Sequence, residues 1–144
     1  MTRTFVAKGL EIAQLDLQQI LLRGKGDGSF ADTVNKEVSL LPPTDNLRII
    51  INDEFLFARQ SFDQWSLVCL KLKPEKEISR LVAAFNFNEE ILASDYSNMT
   101  YFQITGENKN HYLSKLTHFD LRPKKFPVST MAQTLIARIE CCLY

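Results

Sequence analysis

Between Thr4 and Arg23 apolar residues recur every third or fourth position, and Val6, Leu10, Ala13, Leu17, Ile20 and Leu21 fall on one stripe. That spacing predicts an N-terminal helix over 4–23, with Thr4 as its cap. Phe5, Ile12, Leu15 and Leu22 lie off the stripe, so such a helix needs cover on more than one side, from its own fold or from a partner. The run GKGDGS (Gly24 to Ser29) ends it. This run lacks the Lys-Ser/Thr pair of a phosphate-binding loop and follows a predicted helix rather than a strand, so it reads as a turn. A long connection to Asn46 follows, with Pro42-Pro43 and room for a short strand over Val38 to Leu41.

From Leu47 the pattern becomes that of strands. LRIIIN and FLFARQ flank Asn52-Asp53-Glu54, and WSLVCLKL (Trp65 to Leu72) follows the turn at Ser61 to Gln64, which together predict an antiparallel three-stranded meander. Pro74 opens a central helix with Glu75 and Glu77 in its first turn and Ile78, Leu81, Val82 and Phe85 on its apolar face, running as far as Leu92. After the breaker SDYSN, the segments MTYFQIT and HYLSKLTHF around Gly106 to Asn110 predict a hairpin. DLRPKKFP is a loop, and Val128 to Cys142 predicts a C-terminal helix. The expectation is one α+β domain over 1–144 in the order α-βββ-α-ββ-α, an antiparallel sheet with N-terminal, central and C-terminal helices.

Composition narrows the function classes. Seventeen basic and seventeen acidic residues cancel, and cutting the chain after Leu72 leaves each half close to neutral. No global charge draws the protein to nucleic acid or anionic lipid. No stretch approaches the roughly 18 apolar residues of a membrane span, and Glu11, Gln14 and Asp16 interrupt any export signal, so a cytoplasmic protein without membrane contact is expected. The three cysteines suggest no disulfide framework. Cys69 sits inside an apolar run and reads as a buried hydrophobe. On a C-terminal helix Cys142 would enter the core while Cys141 turned outward, which excludes joint metal chelation.

Catalytic signals are absent from the sequence: no H-E-x-x-H, C-x-x-C or G-x-S-x-G pattern occurs, and no cofactor, metal or catalytic residue is assigned. His111 and His118 are seven positions apart on one predicted strand and so point to opposite faces, but either could serve a small enzyme or ligand-binding domain in a pocket between sheet and helix. Arg122, Lys124 and Lys125, flanked by Phe119 and Phe126, are candidates for contact with an anion.

The order of elements, together with LVAAFN (Leu81 to Asn86), resembles the Tir-chaperone-type type III secretion chaperones and the bacterial α+β domains related to them. The resemblance implies a homodimer with Leu81, Val82 and Phe85 at the interface, and a client segment bound by Phe5, Ile12, Leu15 and Phe57. The expected function is therefore a non-enzymatic protein-binding domain, chaperone-like or adaptor-like, with a protein client or a second copy as partner.

Overall fold

The chain is extended from Thr4, and Lys8-Gly9 is its first turn. Gly9 has φ of +69°, and a Cβ there would come within 2.4 Å of the Asn108 side chain. The chain reverses at these two residues, so Thr4–Ala7 (β1) and Leu10–Leu15 (β2) pair antiparallel with Phe5 opposite Ile12. The computed structural model describes residues 3–144, and its contacts divide the chain into two units. One unit joins the two ends of the sequence, residues 1–16 and 100–144, and the other is the continuous stretch Leu17–Met99.

The continuous unit contains Gln18–Arg23 (β3), Ser29–Val38 (α1), Ile49–Ile51 (β4), Phe55–Arg59 (β5), Gln64–Cys69 (β6), Glu75–Asn86 (α2) and Leu92–Asp95 (β7). Its five strands form one sheet, in the order β4-β5-β6-β3-β7, with every neighbouring pair antiparallel. Register sorts the side chains. Ile20, Leu22, Trp65, Leu67, Cys69, Phe55 and Phe57 share one face, and they cluster with Phe30, Val34 and Val38 of α1 and Ile78, Leu81 and Phe85 of α2. Trp65 is the centre of this core. Its ring lies 5.4 Å from Phe30 and 5.5 Å from Phe57, and its indole N–H donates to the Gly24 carbonyl at 3.0 Å.

The GKGDGS run thus has a packing role. Gly26, at φ of +88°, lies flat on Trp65, where a Cβ would come within 2.2 Å of the ring. The run does follow a strand and precede a helix, contrary to the expectation, but Ser29 at that helix start donates to Glu90 at 2.7 Å, which places a carboxylate where a phosphate would go.

The unit made from the two ends holds β1, β2, Tyr101–Thr105 (β8), the short helix Lys109–Leu113 (α3), Ala132–Ile136 (β9) and Ile139–Leu143 (β10). Its strands form a three-stranded sheet, β1-β2-β8, and a hairpin, β9-β10, all antiparallel.

The α+β class, the antiparallel pairing, the meander and the central helix, which ends at Asn86 and gives way to β7 at Leu92, agree with the sequence reading, and the element order agrees in outline. Four local assignments are corrected. The segment 4–23 is three strands, because runs of four to six residues separated by tight turns also place apolar residues three or four apart. The C-terminal segment is the β9-β10 hairpin rather than a helix. The connection before Asn46 contains α1, whose buried Phe30, Val34 and Val38 recur every fourth residue. The segment from His111 to Phe119 begins inside α3 and is not a strand.

Candidate functional site

In a pleated sheet, residues directly opposite one another project from the same side. Pairing of Phe5 with Ile12 and of Ile12 with Ile104 therefore sets three large apolar side chains in a row across β1, β2 and β8. Phe102, opposite Gln14, joins the same face one pair along. Phe5 and Phe102 are each 58% exposed, whereas Ile12 and Ile104 are half-buried. Arg3 extends the ladder, since its carbonyl accepts the Gln14 N–H at 2.8 Å, and so it too belongs to this face. A large aromatic ring buries on the order of 150–250 Å² when covered, so two such rings on one face, with β2 between their strands, form a surface that gains from a partner. Both outer strands, β1 and β8, are edges of their sheet.

The partner-binding candidates divide accordingly. Phe5 and Ile12 are brought together, on a sheet rather than a helix. Leu15, paired with Tyr101, points from the opposite face. Phe57 belongs to the core at 0% exposure and offers no surface to a client. Leu81 and Phe85 are likewise core residues at 1% and 0%, with Val82 half-buried against them, so the apolar face of α2 is occupied by its own sheet. Phe102 and Ile104 were missed, although YFQIT shows the alternation of a strand with one apolar face.

The basic segment is partly spent. Arg122 makes a two-pronged contact with Asp120, its Nε donating at 2.9 Å, and this holds the Asp120 carboxyl down at about 2. Lys124 and Lys125 remain exposed. His111 and His118 are both exposed, and the ring nearest His111 is Tyr112 at 5.8 Å.

The cysteines do diverge, but by strand geometry, and both are half-buried rather than one in the core and one outside. Cys141 shares a face with Ala132 and Thr134, and Cys142 shares the other with Gln133 and Leu135. Cys69 is fully buried, and desolvation pushes its thiol up to about 11; burial also raises that of Cys142.

A cleft of about 300 Å³ opens in the continuous unit between the end of α1, the β4-β5 turn and α2. Lys73 lies at its wall, over the Phe55 ring at 4.9 Å, with its ammonium 2.8 Å from Glu54 and 3.5 Å from Glu77. The hydrogen bond to Glu54 raises the Lys73 pKa and lowers that of Glu54. Arg80 pairs with Glu37 at 2.9 Å. Both cations of the cleft are thus held by carboxylates, and no histidine lines it. Among the described residues no grouping of histidine, cysteine or carboxylates could hold a metal ion, and no helix is long and apolar enough to cross a membrane.

No protein-family model and no curated protein matches the sequence. Among solved structures, the chain is similar to one from the heterotetrameric sarcosine oxidase of Corynebacterium sp. U-96 in complex with pyrrole 2-carboxylate. The TM-score is 0.81 and the identity 16%, over 98% of this chain and 73% of that one. At that identity the likeness establishes a shared fold. It also overturns the resemblance to type III secretion chaperones, because the fold to which 98% of this chain is similar is that of a sarcosine oxidase chain.

Proposed function

We propose that this chain is a non-enzymatic, adaptor-like protein-binding domain that joins other polypeptides through the apolar face of the β1-β2-β8 sheet. The observation that carries the reading is the exposure of Phe5 and Phe102 on the face they share with Ile12 and Ile104. Covering the exposed part of Phe5 and of Phe102 against another chain would contribute about 1–2 kcal/mol for each ring, before the costs of association are subtracted. The outer positions of β1 and β8 in their sheet offer a second means of attachment, by addition of a partner strand. The likeness to a chain of an enzyme described as heterotetrameric supports a place in a multi-chain assembly.

The alternative of a small enzyme using His111 or His118 has no geometric support, since both are exposed and neither lines the cleft. The test is affinity purification of the tagged chain from its own host, as wild type and as Phe5→Glu/Phe102→Glu, with circular dichroism to verify folding. A stoichiometric partner lost only from the folded variant is expected. A partner retained in full by that variant would overturn the reading.

A further inference from the structure

The neutral composition conceals an asymmetry that the fold reveals. The unit built from the two ends carries eight basic and five acidic residues, and the continuous unit carries nine basic and twelve acidic. On the apolar face itself the ladder positions are Arg3, Phe5, Ala7, Leu10, Ile12, Gln14, Phe102 and Ile104, which include one exposed cation and no carboxylate. Glu11, the one acidic residue of this sheet's strands, points from the other face, where it pairs with Val6 and Thr105.

From this charge pattern we infer that the occupant of the face is an acidic, apolar surface of a different polypeptide, its carboxylates meeting Arg3 and its aliphatic side chains covering Phe5 and Phe102. The inference rests on the docking role proposed above and adds the chemistry of the partner. Charge complementarity argues against the simplest other occupant, a second copy of the chain. A twofold dimer through this face would set the patch against itself, bringing two Arg3 side chains and two units of surplus positive charge together with no carboxylate between them. A partner with carboxylates around an aliphatic centre meets no such repulsion and gains in association rate as well as affinity.

The test uses the full chain and two amphipathic peptides of about 20 residues, long enough to hold a helix. Both carry the same leucine stripe, one with glutamate and the other with lysine at every remaining position. Fluorescence anisotropy at low salt is expected to show the glutamate peptide binding roughly tenfold or more tightly than the lysine peptide, with the difference shrinking as salt screens it. Arg3→Glu is expected to narrow or reverse that preference, and Phe5→Glu/Phe102→Glu to abolish binding of both peptides.

Equal binding of the two peptides, lost in the phenylalanine variant, would overturn the acidic partner while leaving the docking face in place. Binding that persists in a folded phenylalanine variant, or no binding by either peptide, would overturn both. Sedimentation that shows a dimer broken by Phe5→Glu/Phe102→Glu would make a second copy the occupant and overturn the inference. Phenylalanine-dependent binding to phosphatidylserine vesicles, with neither peptide bound, would do the same in favour of a membrane surface.

Discussion

The two units solve the problem of burial to different degrees. Among the described residues that are buried and apolar, Leu10, Met131 and Ala132 belong to the unit formed by the chain ends, and all the others belong to Leu17–Met99. The continuous unit stacks two helices on a five-stranded sheet around Trp65, Phe57 and Phe85. The other unit has small sheets and a single five-residue helix, while Phe5, Val6, Phe102, Leu135 and Ile139 stand exposed. Sheets of two or three strands gain stability from a covered apolar face. The contrast suggests a division of labour in which one unit supplies the stable core and the other presents the surface.

The largest expected effect tests that division directly. Phe57→Ala should destabilise the protein by about 3–5 kcal/mol, because it opens a cavity against Trp65 in a closed core. Phe5→Ala should stay within about 0.5 kcal/mol, because the ring it removes is mostly in water. Urea unfolding followed by tryptophan fluorescence reads both. Equal losses would mean that Phe5 is as structural as Phe57, and the division would fail.

A second substitution sharpens the account of the core at its glycine loop. Gly26→Ala places a methyl group against the Trp65 ring at a backbone conformation that L residues rarely adopt. A cost of about 1–3 kcal/mol is expected. Gly28→Ala is the control for steric crowding, since its φ is also positive but a Cβ there meets nothing within 4 Å. If the two variants lose stability equally, strain alone matters and the close packing of Gly26 on Trp65 contributes nothing.

How much was legible in the sequence also differs between the units. The meander and α2 were readable because their runs are long, with clear punctuation at Asn52-Asp53 and Pro74. Helix α1 was hidden: its N-cap is Gly28, with no side-chain cap, so the usual start signal is missing. Where the first unit passes into the second, β1, β2 and β3 follow one another through turns so short that Leu10, Ala13, Leu17 and Ile20 also satisfy a helical period. The charge asymmetry was invisible to a cut after Leu72, because the first unit takes one segment from each end of the chain. Phe5 and Ile12 were found as exposed apolar residues for the wrong secondary structure. Phe102 and Ile104 required the β2-β8 pairing, a contact between residues about ninety positions apart.

The hairpin β9-β10 offers a smaller effect of opposite sign. It turns through Ala137 and Arg138, whose φ values of 50° and 69° suit asparagine and glycine far better. This mismatch concealed the turn in the sequence. Replacing the pair by Asn-Gly should stabilise the protein by about 0.5–1 kcal/mol, read as a higher urea midpoint with unchanged slope. An unchanged or lower midpoint would show that the native turn residues are held by more than the Ala137 N–H to Leu116 carbonyl bond of 2.8 Å.

The smallest effect separates two kinds of ion pair. Asp120 and Arg122 are two residues apart in an exposed loop, whereas Lys73 joins Glu54 of the β4-β5 turn to Glu77 of α2. Asp120 titrates at about 2 when folded, below the usual aspartate value, so its contribution is present above the unfolded pKa near 4 and disappears as pH falls through about 2. Arg122→Ala should return the Asp120 carboxyl, followed by NMR, towards the ordinary range, while the urea midpoint at neutral pH scarcely moves, because an exposed pair between near neighbours contributes little. Lys73→Met should raise the Glu54 midpoint and also lower stability at neutral pH, because it leaves two carboxylates of different elements without their shared cation. Lys73 itself has a raised pKa, so its share is present at neutral pH and fades only as pH climbs through that raised value. If Arg122→Ala proved as destabilising as Lys73→Met, the loop pair would be a structural brace. The unit formed by the chain ends would then be held together more firmly than the sparse apolar burial among its described residues implies.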